Sequence, residues 1–459
     1  MFINHDYIER ILEEAKGATR EDIKSVLEKA KKRDGLSYED IAILLQAEDK
    51  EDMEEIFKLA GEIKDSIYGK RIVIFAPLYV SDYCVNNCVY CGYKRTNDFS
   101  RRKLTMEEVA EEVKILEKMG HKRLALELGE DPVNAPIDYV LECLETIYST
   151  QNDNGEIRRV NVNIAATTVE NYRKLKEAKI GTYILFQETY HNPTYDKMHP
   201  KSLKGDYNYH LTSFDRAMEA GIDDVGAGVL FGLADPKFEV LGLMMHNRHL
   251  EEKYGVGFHT ISMPRLKPAA GLTLQEFPNL VDDEMFKKLV AIIRIAVPFT
   301  GIIMSTRETE EMRRELLKYG VSQISAGSST GVGGYKEREE GNYDSIQFKT
   351  SDDRTPLEVI KSVLDDGYIP SYCTACYRRG RTGERFMKLA KSGEIQNVCE
   401  PNAITTLLEF AIDYGDKEIL EKAEAVINRE KEKIKRQDIK ELLEKNLGRL
   451  RAGERDLYL

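Results

Sequence analysis

From Arg71 to Ser328 the chain alternates eight times between a short apolar run and a longer stretch of helical period. This alternation constrains the fold more tightly than any other feature of the sequence. The runs are RIVIFAPLYV (71–80), RLALEL (123–128), RVNVNIA (159–165), TYILFQE (182–188), DVGAGVLFG (224–232), GFHTISM (257–263), GIIMS (301–305) and SQISAGS (322–328). A strand that returns through a helix pairs in parallel with its predecessor, and eight such units read as a closed α/β barrel of the TIM type rather than an open sheet. Functional side chains of such a barrel stand at the C-terminal strand ends and in the loops that follow.

The loop after the first run is SDYCVNNCVYCGY (81–93), with Cys84, Cys88 and Cys91 spaced C-x3-C-x2-C. Thiolates at this spacing reach three corners of one compact iron–sulfur cluster. No other Cys or His follows until His121, so one iron of a four-iron cluster is left without a protein ligand. A structural zinc site would be closed by four protein ligands, which favours the open cluster over zinc. The loop resembles the signature of the radical S-adenosylmethionine (SAM) enzymes. That resemblance implies a [4Fe-4S] cluster whose open iron binds the amino and carboxylate groups of SAM. One electron then releases a 5′-deoxyadenosyl radical, the cofactor carrying the chemistry and the protein orienting it.

The flanks lack the alternation. Residues 1–70 read as helices only, with Thr19-x-x-Asp22 and Ser37-x-x-Asp40 as capping signals, and form an N-terminal helical extension. Residues 71–350 form the barrel. Residues 351–459 are mostly helical, and the charged, heptad-like stretch from Asp416 to Arg451 reads as a solvated amphipathic helix pair. The net charge of −12 and the lack of a long Lys/Arg tract argue against nucleic acid as a partner. No apolar run is long enough for a membrane span, and the acidic N-terminus lacks a secretory h-region. Six of the seven cysteines fall into two triplets, which fits metal sites in a reducing cytoplasm better than disulfides. The seventh, Cys143, shares helical spacing with Val140, Leu144 and Ile147 and reads as core.

The second triplet is Cys373, Cys376 and Cys399, spaced C-x2-C-x22-C. A redox dithiol would leave Cys399 unused, and zinc would need a fourth ligand where no His occurs after His259. A second open iron–sulfur cluster is the reading favoured over zinc closed by a distant residue. With this triplet the chain resembles, over nearly its whole length and down to GERDLYL, the radical SAM tyrosine lyases that mature [FeFe]-hydrogenase. The tyrosine lyases of thiazole synthesis share the barrel but lack the second cluster. The resemblance implies cleavage of the Cα–Cβ bond of L-tyrosine to p-cresol and dehydroglycine (2-iminoacetate). The fragment would become carbon monoxide and cyanide at an auxiliary [4Fe-4S] cluster, giving an Fe(CO)2(CN) precursor. It further implies a labile fifth iron on that cluster with His259 as ligand, and free cysteine as another iron ligand. An electron donor and other hydrogenase maturation proteins would be partners. The alternatives are an aromatic amino-acid lyase that supplies another pathway, and an iron–sulfur carrier or scaffold.

Further candidates cluster at the expected barrel mouth. Gly129-Glu130 partly matches the superfamily's Gly-Gly-Glu-like segment for the SAM amino group, with Leu128 in place of the first Gly. Glu188 ends the fourth run in a segment resembling the family's SAM-binding one, and Tyr90 by resemblance packs near the adenine. Arg216, on the following helix, is a planar donor for the SAM carboxylate. Arg307, with Ser325 and Ser328, would hold the carboxylate of tyrosine, and Arg265 is the rival anchor. Gly331-Val332-Gly333-Gly334 lacks the Lys-Ser/Thr of a phosphate loop and reads as a flexible turn.

Overall fold

In the computed structural model, which describes residues 2–341 and 347–459, the eight apolar runs form eight parallel strands. They are β1 (Arg71–Ser81), β2 (Arg123–Leu128), β3 (Arg159–Asn163), β4 (Tyr183–Glu188), β5 (Val225–Val229), β6 (Thr260–Ser262), β7 (Gly301–Met304) and β8 (Gln323–Ser325). Each pairs with its neighbour in chain order, and β8 returns to β1 through Val73–Gln323, Ile74–Ile324 and Phe75–Ser325, which closes the barrel.

A ninth strand, β9 (Ile369–Ser371), was not expected from the sequence. It pairs in parallel with β1 through Arg71–Ile369, Ile72–Pro370 and Val73–Ser371. Val73 is thus bonded to β8 on one edge and β9 on the other. β2 takes over the second edge from Ala76 onward. Pro370 lacks an N–H donor and is tolerated because β9 is an outer strand.

The helices follow local signals. Thr19, Ser37 and Thr105 each close a capping box with the acid three residues on, starting helices at Arg20, Tyr38 and Met106. Cys143 is fully buried on the helix Ile137–Ser149. The helix Lys50–Tyr68 packs along the barrel wall: Tyr68 Oη donates to Phe299 O (2.5 Å), and buried Lys64 Nζ donates to Leu317 O (2.9 Å). The helix Gln396–Asp413 is buried along most of its length. The helices Lys417–Lys431 and Gln437–Arg451 lay Ile419, Ala423, Ile427, Leu443, Leu447 and Leu450 in the core, so the charged pair is solvated on its outer face only. The Gly331–Gly334 turn is buried and leads into the helix Gly334–Glu340. Among the described residues no helix is long and apolar enough to cross a membrane.

The C-terminal helices are tied to the barrel by a buried ion pair, Arg158 Nη2 to Glu409 Oε1 at 2.5 Å, with side chains only 5% and 2% exposed. Losing one partner strands the other in a medium that solvates charge poorly. Glu409→Ala should therefore lower unfolding stability by on the order of 3 kcal/mol, read as a shifted urea midpoint. Glu156 and Asp456, which also reach Arg158, keep the loss from being larger.

Candidate functional site

The loop after β1 is held from its outer side. Arg101 Nη1 donates to the carbonyls of Asp82 (2.6 Å) and Tyr93 (2.7 Å), and its Nη2 donates to Lys94 O (2.7 Å). Val85 N donates to Glu130 O, and Arg95 N to Asn86 O, each at 2.8 Å. With these backbone groups satisfied by protein, Cys84, Cys88 and Cys91 line one cavity of about 240 Å³ over the C-terminal strand ends. Gly129, at the end of β2, is what lets the loop come this close. A Cβ there would lie 2.4 Å from Tyr83 O and 3.0 Å from Cys84 Cβ.

The donor set fits a cationic cluster. None of the three cysteines is in a disulfide. Burial pushes all three thiols up, Cys91 to about 11 with the charge of Cys84 adding to the effect, and Cys88 further. Each would ionise readily only with positive charge placed between them.

The other predicted residues fall into two groups. Tyr90, Gly129, Glu130, Glu188, Arg307, Ser325 and Ser328 all line this upper cavity. Tyr90 Oη is 2.8 Å from His199 Nε2, and Glu130 Oε2 accepts from Asn86 Nδ2 at 2.5 Å. Glu188 sits at φ +67°, a left-handed conformation uncommon for a side chain other than Gly or Asn, and its Oε1 is 2.7 Å from Lys204 Nζ. Arg307 lies 3.7 Å over the Phe348 ring and has no ion pair or side-chain hydrogen bond among the described residues. Burial lowers its pKa. Ser325 Oγ accepts from Thr306 N (3.2 Å), while the buried Ser328 Oγ has no partner among the described residues.

Two predicted arginines are engaged elsewhere. Arg265 is locked to Glu308 (2.6 Å) and Asp283 (2.6 Å) and does not line the cavity, whereas Arg307 does. Arg216 gives its donors to Thr167 O (2.8 Å), Thr212 Oγ1 (2.9 Å) and Tyr209 O (2.6 Å), so it braces the wall rather than entering the cavity. Sequence reasoning missed Lys204, on the short turn Leu203–Gly205, and Asn86, within the cysteine loop itself. Burial opposes the charge of Lys204, but Glu188 and Cys88 hold it protonated. Glu127, also missed, is pushed up to about 8 by burial and accepts from Asn163 Nδ2 at 2.7 Å.

Cys373, Cys376 and Cys399 meet at the opposite, N-terminal end of the barrel. They line a smaller cavity with Arg71, Arg123, Arg381, Asp224 and His259. β9 delivers Cys373 two residues after Ser371, and the helix Gln396–Asp413 delivers Cys399. A hydrogen bond from Cys376 holds the Cys399 thiol down, against burial and with help from Arg71 and Arg381. The group is thus three thiols with cationic neighbours, a set able to carry the negative charge of a cluster–thiolate centre. His259 joins this set, but not as the barrel rule led one to expect. It precedes β6 and stands at the lower end, away from the mouth. Its Nδ1 is 3.8 Å from Asp224 Oδ1, its ring meets Phe386 edge-on at 4.6 Å, and burial lowers the pKa of the imidazole.

A parallel eight-stranded barrel with three thiols in the loop after its first strand defines a radical SAM enzyme. The pattern of the radical SAM superfamily matches residues 78–240, and that of the biotin and thiamin synthesis associated domain matches residues 262–369. A crystal structure of HydG, a maturase of the [FeFe]-hydrogenase, is 58% identical over the whole of both chains with a TM-score of 0.97. The chain belongs to the HydG family. The HydG of Carboxydothermus hydrogenoformans is 39% identical over 96% of this chain and 98% of its own, with a TM-score of 0.83. The 2-iminoacetate synthase of Escherichia coli strain K12 is 28% identical over 78% of this chain and 93% of its own.

Gly129→Ala should force the Cys84 loop away from β2. Iron content and visible absorbance should fall at the upper site while the lower thiol set still takes up iron, measured by iron analysis and electron paramagnetic resonance after anaerobic reconstitution.

Proposed function

We propose that this chain is a tyrosine lyase that breaks the Cα–Cβ bond of L-tyrosine at the upper cavity, giving p-cresol and dehydroglycine. The two-carbon fragment then travels to the lower thiol set. The observation that carries the reading is the presence of two separate three-thiol sets, one at each end of a single barrel interior.

When bound, the upper cluster and SAM supply a 5′-deoxyadenosyl radical that takes hydrogen from the substrate. The residues of the chain bind and orient. Cys84, Cys88 and Cys91 hold the cluster. Glu130 and Glu188 offer acceptors for the SAM ammonium, and Lys204 offers a cation for its carboxylate. Arg307, half-buried and with no ion pair among the described residues, takes the tyrosine carboxylate in its planar fork, and Ser328 Oγ adds a hydroxyl. Tyr90 packs beside the nucleoside. The buried walls exclude water from a reactive imine.

At the lower end Cys373, Cys376 and Cys399 would hold the auxiliary cluster, and His259 would present a nitrogen to a labile fifth iron, with free cysteine as a further ligand. Each fragment would give one carbon monoxide, one cyanide and one water there. Two fragments would then supply the ligands of one Fe(CO)2(CN) unit, with one cyanide left over, and that unit would pass to other maturation proteins for the hydrogenase cluster. Electrons come from an external donor. The similarity to 2-iminoacetate synthases favours a second reading, in which the fragment is released to another pathway; p-cresol without carbon monoxide would mark it.

Cys88→Ala should abolish both 5′-deoxyadenosine and p-cresol. The double variant Cys373→Ala/Cys376→Ala should still make p-cresol but lose carbon monoxide and cyanide. Normal production of both gases by the double variant would overturn the two-site reading. Arg307→Lys keeps charge but not the fork, and should raise the KM for tyrosine by about tenfold, equivalent to about 1.4 kcal/mol.

A further inference from the structure

Side chains alternate along a strand, so every second residue of each barrel strand faces the interior. The linings of the two cavities follow this rule. β1 gives Val73 to the lower cavity and Phe75 to the upper, β2 gives Arg123 and Ala125, and β7 gives Gly301 and Ile303. Gln323, the first residue of β8, lines both. It is the one residue common to the two linings among the described residues.

The layer around Gln323 is built from small and polar residues. β5 and β7 contribute Gly226 and Gly301 at this level. A Cβ at Gly301 would lie 2.7 Å from Gln323 Nε2 and 3.3 Å from Thr260 Cγ2, so the amide lies across the gap where a side chain is missing. A Cβ at Gly226 would lie 2.4 Å from Thr260 Oγ1. The Gln323 amide is 8% exposed and has no hydrogen bond to any described residue, and the buried Thr260 Oγ1 has no partner either. Buried polar groups are almost always paired. The Thr260 hydroxyl is an exception, and the Gln323 amide, with no bond to a described residue, opens onto both cavities. A static partition would be served better by Leu, which carries no amide to leave unpaired.

We propose that Gln323 is the gate between the two chambers. Its amide closes the barrel interior at rest. It swings aside for the small carboxylate-bearing fragment and gives that fragment N–H donors in transit, with Thr260 Oγ1 as a second hydrogen-bonding group. This rests on the two-site reading above and adds the residue that controls passage. Gln323 acts on transfer, not on bond cleavage, so it is a positioning residue. A fragment that fails to pass meets water at the mouth: the imine adds one water and gives glyoxylate and ammonia, with no redox change.

The test is the partition of the fragment in the reconstituted holoenzyme. Cyanide and glyoxylate are each measured per p-cresol formed, for wild type, Gln323→Leu and Gln323→Ala. Leu keeps the bulk and removes the hydrogen bonds, and should lower cyanide per p-cresol at least fivefold with a matching rise in glyoxylate. Ala opens the partition and should keep cyanide per p-cresol at the wild-type level. Crystals of the reconstituted Ala variant should show the two cavities as one continuous void, and those of the Leu variant should keep them apart. An unchanged ratio in Gln323→Leu, or an equal loss in Gln323→Ala, would overturn the gate. A wild-type enzyme that forms no p-cresol would instead overturn the lyase reading on which the gate rests.

Discussion

Strand β1 carries the architecture. Its lower half is bonded to β8 on one edge and to β9 on the other, and its upper half to β2. The upper cysteine loop leaves from its C-terminal end at Ser81, and the lower cysteines follow β9, which is bonded to its N-terminal end at Arg71–Val73. One eleven-residue strand therefore serves as the spacer between the two thiol sets. At a rise of roughly 3.3 Å per residue it spans about 30 Å or slightly more. Register is set by two inward-facing neighbours at once, and a slip of one residue would turn every inward side chain outward.

The two ends differ electrostatically. The upper cavity mixes Glu127, Glu130 and Glu188 with Lys204 and Arg307, which suits zwitterionic ligands with ammonium and carboxylate groups. The lower one sets Arg71, Arg123 and Arg381 beside three thiols, which suits a negatively charged centre. Arg381 also donates to Leu459 O (2.8 Å), and Leu459 N donates to Asn402 Oδ1 (2.8 Å). The GERDLYL segment that marked the family resemblance is thus a tie across the lower chamber.

The sequence carries the barrel because period and burial agree in each strand: RLALEL is the strand Arg123–Leu128 residue for residue. β9 escaped notice because three residues including a proline carry no period to read. The cysteines were legible because thiol spacing is itself chemistry. Arg216 and Arg265 were not, since an arginine's role depends on which acceptors already hold it, and those come from distant segments. Which end of the barrel His259 faces is not legible, because a residue's position relative to a strand of three cannot be judged from an apolar run of seven. Lys204 sits on an irregular turn, where no pattern distinguishes it from a surface lysine.

Gly226 and Gly301 have no room to spare: a Cβ would lie 2.4 Å from Thr260 Oγ1 at the first and 2.7 Å from Gln323 Nε2 at the second. Any larger residue there must first push a neighbour aside. An engineer who exchanged these glycines for stiffer residues, a common route to a hardier protein, would therefore be repacking the axis between the two thiol sets rather than trimming backbone freedom alone.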